Sequence, residues 1–318
     1  APQAQQTFTV SRNDQTITFT SIAPATAKNG GATYTVSATA SSGLNVTFSS
    51  ATPGVCTVAT ATVTFVGAGT CTINADQAGN AAYNPAPQVQ QSFLVAKGDQ
   101  TLAFTSTLAA FVATGSTYNA VATATSGLTV VFTIDASSTS GCSVVGSVVT
   151  FNSPIGTCVI DANQPGDANW NPAPQMQQST SVLDPPNAVD DSDTATGNVQ
   201  ISVAANGVLG NDSGTSISVT AFDAASTNGG TVVVNGDGSY SYDPPANFTG
   251  SDTFTYTIDN ALNQPSIGTV TVTVKDRVIV VASGGTGNCK PATPCAMSTA
   301  DGLAAPTGKD LVFVQSGN

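Results

Sequence analysis

The chain has 318 residues, a formal charge of −12, no histidine and a charged fraction of only 8%. Seven scattered basic residues give no electrostatic footprint for nucleic acid, and no apolar run approaches the ~20 residues of a membrane span. All 19 acidic residues are aspartate, so the common general bases, His and Glu, are missing; Ser-His-Asp and Cys-His constellations are excluded, and nothing in the sequence positions an Asp pair for acid/base work.

What remains is rich in Thr, Val, Ser, Asn and Gln. That balance favours strands over helices and points to an all-β chain. With 40% hydrophobic residues the chain can bury cores, and its length suits two to four domains. The acidity is uneven: residues 183–276 hold 11 aspartates against a single lysine.

Residues 1–11 come first. Ala1-Pro2-Gln3-Ala4-Gln5-Gln6 repeats Ala86-Pro87-Gln88-Val89-Gln90-Gln91, so this segment reads as the end strand of a preceding repeat or a linker. Residues 12–96 and 97–183 then form two copies of one unit. Asp14-Gln15-Thr16 returns as Asp99-Gln100-Thr101, and Asn84-Pro85-Ala86-Pro87-Gln88 returns as Asn171-Pro172-Ala173-Pro174-Gln175. A repeat of this length suits complete domains in series rather than a solenoid.

Within the first copy, strands are predicted near 16–20, 33–39, 45–49, 55–59, 62–66, 70–76 and 87–95. The run Thr33 to Thr39 alternates apolar and polar residues, as does Thr70 to Asp76, which puts Cys71 on the inner face. Short strands at this spacing suggest a β-sandwich. Six cysteines allow fifteen connectivities, but their repeated placement favours the local pairs Cys56–Cys71, Cys142–Cys158 and Cys289–Cys295. Metal binding is the competing reading, though no C-x-x-C or histidine is present to complete a site. Disulfides imply an oxidising compartment. Tyr83 and Trp170 occupy the same repeat position just before Asn-Pro, where a plug at the end of the sandwich core is preferred to a sugar-stacking platform.

Residues 12–182 resemble the immunoglobulin-like repeats found in tandem in large bacterial surface proteins. The resemblance rests on Asp-Gln-Thr-Ile-Thr-Phe at 14–19, Ala-Thr-Ala-Ser-Ser-Gly-Leu at 38–44, the paired cysteines and Tyr83-Asn84-Pro85.

Asp184-Pro185-Pro186 opens a different unit, 184–276. Its blocks are Ala188-Val189-Asp190-Asp191, Val208-Leu209-Gly210-Asn211-Asp212, Asp237-Gly238-Ser239-Tyr240 and Phe248 to Tyr256. They resemble the cadherin-like or Ig-like domain of bacterial adhesins. Gly236-Asp237-Gly238 reads as a hairpin turn, and Phe254, Tyr256 and Ile258 share one buried face. No cofactor is required, but calcium is a candidate. Asp190, Asp191, Asp193, Asn211 and Asp212 could offer the oxygen ligands a hard cation needs, with Asp237 and Asp252 further on. The competing reading gives these residues to Asx turns and strand ends.

From 277 to 318 the pattern changes again. Val278–Val281 reads as a strand, Gly284 to Gly287 as a loop, Ser298–Ala305 as a short helix and Leu311–Val314 as a strand. The segment resembles the start of a right-handed parallel β-helix or a strand-exchange tail.

The expected fold is therefore all-β, with tandem Ig-like sandwiches and a C-terminal partial β-helix-like segment. The expected role is a secreted or cell-surface stalk or adhesin segment, not an enzyme. Its partners would be neighbouring domains, copies of itself and a surface ligand, with no nucleic acid and no membrane insertion. The rival is a filament subunit in which Phe8 and Val10, or Leu311 and Phe313, pair with an open edge of the next subunit. A binding module attached to a secreted hydrolase is a third expectation.

Overall fold

A computed structural model describes residues 3–282, 285–291, 293–295 and 310–315. All regular structure among the described residues is strand. In the first repeat, Tyr34–Thr35, Thr62–Phe65 and Cys56–Ala59 form one sheet, in that order. Thr47–Ser50, Gly69–Asp76 and Val89–Val95 form the facing one. Ile17–Phe19 pairs with Ala38–Ala40 at the side. Alternation drives the layering: Val63 and Phe65 point inward from one sheet, and Cys71, Ile73 and Ala75 from the other.

The segment expected as one strand, 33–39, is two. Tyr34–Thr35 pairs with Thr62–Phe65, while Ala38–Ala40 pairs with Ile17–Phe19. Between them the Val36 N–H donates to the Ala61 carbonyl, and the Ser37 carbonyl accepts from Thr20 and Ser21. The chain thus changes sheet at a sandwich corner without losing its alternation, and Val36 and Ala40 are both buried.

Cys56 lies on one layer and Cys71 on the central strand of the other, so their bridge crosses the sandwich (S–S 2.01 Å, Cα–Cα 5.6 Å). Cys142–Cys158 repeats this in the second copy, with Cα atoms 6.0 Å apart. A closed loop of this size contributes about 3 kcal/mol in the chain-entropy picture. The aromatic cluster of the first copy sits beside the bridge: Phe93 meets Tyr34 and Phe65 edge-on, at 5.7 and 5.9 Å.

The repeated Gln of Asp-Gln-Thr has a structural task that its sequence position did not reveal. Gln15 is 3% exposed and donates to Gln77 Oε1 and the Asn84 carbonyl, both at 2.7 Å. Gln100 makes the same two bonds to Gln164 and Asn171, again at 2.7 Å. Gln77 and Gln164 in turn accept from the Gly79 and Gly166 N–H groups. Each network ties the first strand of a repeat to its Asn-Pro corner with the buried amide fully engaged.

The third unit packs Ile201–Val203, Tyr240–Asp243 and Thr231–Val234 against a larger sheet that contains Ser218–Phe222, Gly250–Asp259 and Ser266–Ala282. Asp191–Gly197 joins that sheet parallel to Ser266–Ala282. Tyr242, Phe254, Tyr256, Ile258, Val270 and Val272 fill the core, and the 236–238 turn closes the expected hairpin with Gly238 at φ 82°.

Two expectations for the tail need correction. The strand expected at Val278–Val281 does not begin there: Ser266–Ala282 is one strand, interrupted by a bulge at Asp276 (φ 48°) where pairing steps from Lys275 to Arg277. Nor is the run from Gly284 to Gly287 a loop throughout, since Thr286–Lys290 is a strand paired with Thr293–Cys295. A Cβ on Gly287 would lie 2.3 Å from the Thr293 carbonyl oxygen, so glycine is needed for that close approach. Cys289–Cys295 closes this hairpin, and Lys290 reaches Asp243 of the third unit at 2.7 Å. Asp310–Gln315 pairs parallel to the second half of the long strand. The expected helix at 298–305 lies outside the described residues.

Thr180 takes the place opposite Cys158 that Phe93 holds opposite Cys71. Its hydroxyl is buried with no hydrogen-bond partner among the described residues. Thr180→Val keeps the shape and removes that hydroxyl, so it stabilises the second repeat by about 1 kcal/mol in urea unfolding. An unchanged midpoint would mean that the hydroxyl is satisfied.

Candidate functional site

The five side chains expected to ligate calcium do not converge as a set. Asp190 Oδ1 accepts from the Thr269 N–H at 2.8 Å. Asp193 Oδ2 accepts from the Tyr240 hydroxyl at 2.8 Å, on a different part of the sandwich. Asn211 Nδ2 donates to the carbonyls of Val189 and Asp190, which is turn chemistry.

Asp191 and Asp212 meet at the phenol oxygen of Tyr256, and the Asn211 side chain also hydrogen-bonds Asp191. Asp191 Oδ2 lies 3.0 Å from it, and the two Asp212 oxygens lie 3.1 and 3.2 Å away. The Val208 and Val189 carbonyls add oxygens at 3.0 and 3.1 Å. One hydroxyl proton therefore faces five acceptor oxygens, of which the Val189 carbonyl also accepts from Asn211 Nδ2 and Asp212 Oδ1 from the Val189 N–H at 2.7 Å. Burial pushes the Asp191 carboxyl up to about 6, and the neighbouring Asp212 and Asp190 charges push the same way against the Tyr256 hydrogen bond. Burial, followed by Asp191 itself, drives the Tyr256 phenol far above its usual range, so it stays a donor. Among the described residues, no group of three or more acidic or cysteine side chains is arranged to hold a metal ion.

The most thoroughly engaged carboxylate is Asp252, which the sequence reading placed only loosely with the acidic set. It is buried and accepts from Ser226 (2.5 Å), Tyr242 (2.7 Å), and the N–H groups of Asn228 and Thr253 (both 2.9 Å). Burial alone would raise its pKa, but these hydrogen bonds together hold it below the ordinary value. The signal was legible: Asp252 has the same strand parity as Phe254, Tyr256 and Ile258, so an acid stood at an inward position. Asp237 makes an Asx turn, accepting from the Ser239 N–H and hydroxyl.

Trp170 does not plug its own core. Its indole lies over two glycines at the joint between repeats: a Cβ on Gly98 would fall 2.7 Å from the ring, and one on Gly30 3.1 Å. Asn169 completes the joint. Its carbonyl accepts from the Gly98 N–H (2.9 Å) and Asn29 Nδ2 (3.3 Å), and its Oδ1 accepts from the Ala68 N–H at 3.0 Å. An exposed ion pair, Lys28–Asp99 at 2.9 Å, flanks it. Of the assembly candidates, Phe8 and Val10 are 84% and 79% exposed, while Leu311 and Phe313 lie in the strand paired with Val278 and Val280.

Residues 183–273 match the family model of the bacterial Ig domain. That match takes in the Tyr256 nest, Asp252 and both sheets of the third unit. No curated protein matches the chain by sequence. Among solved structures, an I-band fragment of titin is similar at 17% identity and a TM-score of 0.34, covering 81% of this chain and 98% of that one. Sidekick-1 immunoglobulin domains 1–5 are similar at 14% identity and a TM-score of 0.29, covering 81% of this chain and 58% of that one. Protocadherin gammaB7 EC3-6 follows at 12% identity and a TM-score of 0.27, covering 82% and 76%. Likenesses this loose bear on neither ligand nor partner.

The Tyr256 nest makes the third unit pH-sensitive in a defined direction. Asp191 has a folded pKa of about 6 against 3.8 unfolded, so its contribution is complete below about 4 and is lost as the pH rises through 6. Solvent screening at this half-exposed group limits the effect to about 1 kcal/mol. Asp191→Asn should flatten the difference in melting temperature between pH 4.5 and pH 7, measured on the third unit's transition. An undiminished slope would place the titrating group elsewhere.

Proposed function

We propose that this chain is an extracellular structural segment, a stalk or adhesin piece of a bacterial-type surface protein that spaces and presents neighbouring domains. The observation that carries the reading is the series of separately cored sandwiches, two of them bridged across their layers by a disulfide, meeting at a joint filled by Trp170. The bacterial Ig domain match over 183–273 and the three disulfides support an extracellular location. The role is non-catalytic in this reading, which is supported by Asp237 serving a turn and Asp252 the core. The parallel pairing of 277–282 with 310–315 supports reading the tail as the beginning of a parallel β-helix.

Antibodies raised against the chain should label intact cells that carry the gene, and brief protease treatment of those cells should remove the signal. Labelling that appears only after lysis would overturn the assignment.

A filament subunit is the second reading, favoured by the exposed Phe8 and Val10. Electron microscopy at high protein concentration distinguishes the two. Fibres support the filament, and monomers only support the stalk.

Calcium belongs to the proposal through the five oxygens around Tyr256, which are the hard donors such an ion takes. Calorimetric titration with calcium should give heat and raise the third unit's melting temperature. No heat removes the ion and leaves a proton-sensitive nest.

A further inference from the structure

We infer that residues 3–11 are a strand that completes another sandwich of the first repeat's type, and that Tyr83 then seats on that sandwich's glycine pole as Trp170 does on Gly30. This deepens the serial-array reading by naming the surface, the partner and the contact.

Gln5, Gln6, Phe8 and Val10 stand where Gln90, Gln91, Phe93 and Val95 stand in the last strand of the first repeat. Three of those residues have defined tasks there. Gln91 donates to the Ser21 carbonyl and accepts from the Tyr34 hydroxyl, at 3.0 and 2.8 Å. Phe93 fits between Tyr34 and Phe65, and Val95 is fully buried. Gln178 repeats the glutamine's task in the second copy, with Ser106 and Tyr118 at the same two distances. Residues 3–11 thus carry the same glutamine, aromatic and valine on the same parity. Yet Phe8 and Val10 lie in solvent. Both repeats already hold their own last strand, Val89–Val95 and Met176–Leu183, so the slot must belong to a further copy.

The joint is also half built. Ala82 and Tyr83 N–H groups donate to Asn80 Oδ1 at 2.8 and 2.9 Å, as Asn169 and Trp170 donate to Asp167 Oδ1 at 2.7 and 2.8 Å. The Asn13 N–H donates to the Ala82 carbonyl at 2.9 Å, matching Gly98 to Asn169. Whatever unit takes residues 3–11 as its last strand is delivered directly to this tip. Ala82 replaces Asn169 and Asn13 replaces Gly98, so the side-chain bond to the Ala68 position is lost, a Cβ stands beside the smaller ring, and the joint is weaker than the one built on Trp170.

The test uses the full chain with one extra copy of residues 12–85 joined ahead of Ala1, so that residues 1–11 take the places of 86–96. The added copy should fold, and the amides of residues 7–10 should exchange at least about 100-fold more slowly than in the unextended chain. Phe8→Asp in the extended chain should abolish the added copy's unfolding transition and leave the first repeat's intact. As a control, a complete extra copy, residues 12–96, is joined ahead of Ala1 and supplies its own last strand. If that control folds while the 12–85 version leaves residues 7–10 exchanging freely, the strand assignment is overturned. Tyr83→Ser should let the added copy tumble independently in nitrogen-15 relaxation, and unchanged coupled tumbling would overturn the plug. None of these outcomes depends on cellular location, so they stand or fall separately from surface labelling.

Discussion

The constraint beneath everything else is the bridge across two thin layers. Each N-terminal repeat buries only a short list of apolar side chains, chiefly Val, Ile, Phe and the half-cystines themselves. A core that small yields limited hydrophobic stabilisation, and the unfolded chain is long enough to lose much entropy on closing. Cys56–Cys71 and Cys142–Cys158 reduce that loss and fix the register between layers at their centres. The buried Gln15 and Gln100 networks do the same for the ends, pinning each first strand to its Asn-Pro corner.

With each sandwich closed on its own terms, the joints between them become separate structures with their own chemistry. The first sets an indole over glycine backbone, where a Cβ on Gly98 would collide, with the Asn169 hydrogen bonds beside it. The second is polar: the Asp184 carboxylate accepts from the Thr114 hydroxyl, its N–H donates to the Thr215 hydroxyl oxygen, and its carbonyl accepts from Asn260 Nδ2. At the third, the long strand Ser266–Ala282 runs straight through, and Asn198 holds it by donating to the Val278 carbonyl at 2.9 Å.

The third unit solves the core problem differently, with aromatic bulk and buried polar hubs in place of a cross-layer bridge. Tyr240, Tyr242, Phe254 and Tyr256 supply the volume, and each tyrosine sends its hydroxyl to an aspartate. Much of the acidity that distinguishes this unit in composition is therefore spent on tyrosine hydroxyls, turns and strand ends. At Tyr256 carboxylate and carbonyl oxygens crowd one phenol, and burial together with the neighbouring aspartates raises the Asp191 carboxyl there.

Alternation and repetition determined a great deal by themselves. The all-β class, the two matched copies, the three cysteine pairs and the inward parity of Phe254, Tyr256 and Ile258 were legible because period-two burial and local pairing leave direct marks on sequence. Tertiary structure alone decided that 33–39 changes sheet at a corner, that Asp276 is a bulge within one strand, and that Gln15 is buried. It also brought Asp191 and Asp212 together at Tyr256, sent Asp193 to Tyr240, and placed Trp170 at a joint instead of a core. Those outcomes depend on which distant groups arrive at the same point in space, and one-dimensional spacing carries no record of that meeting.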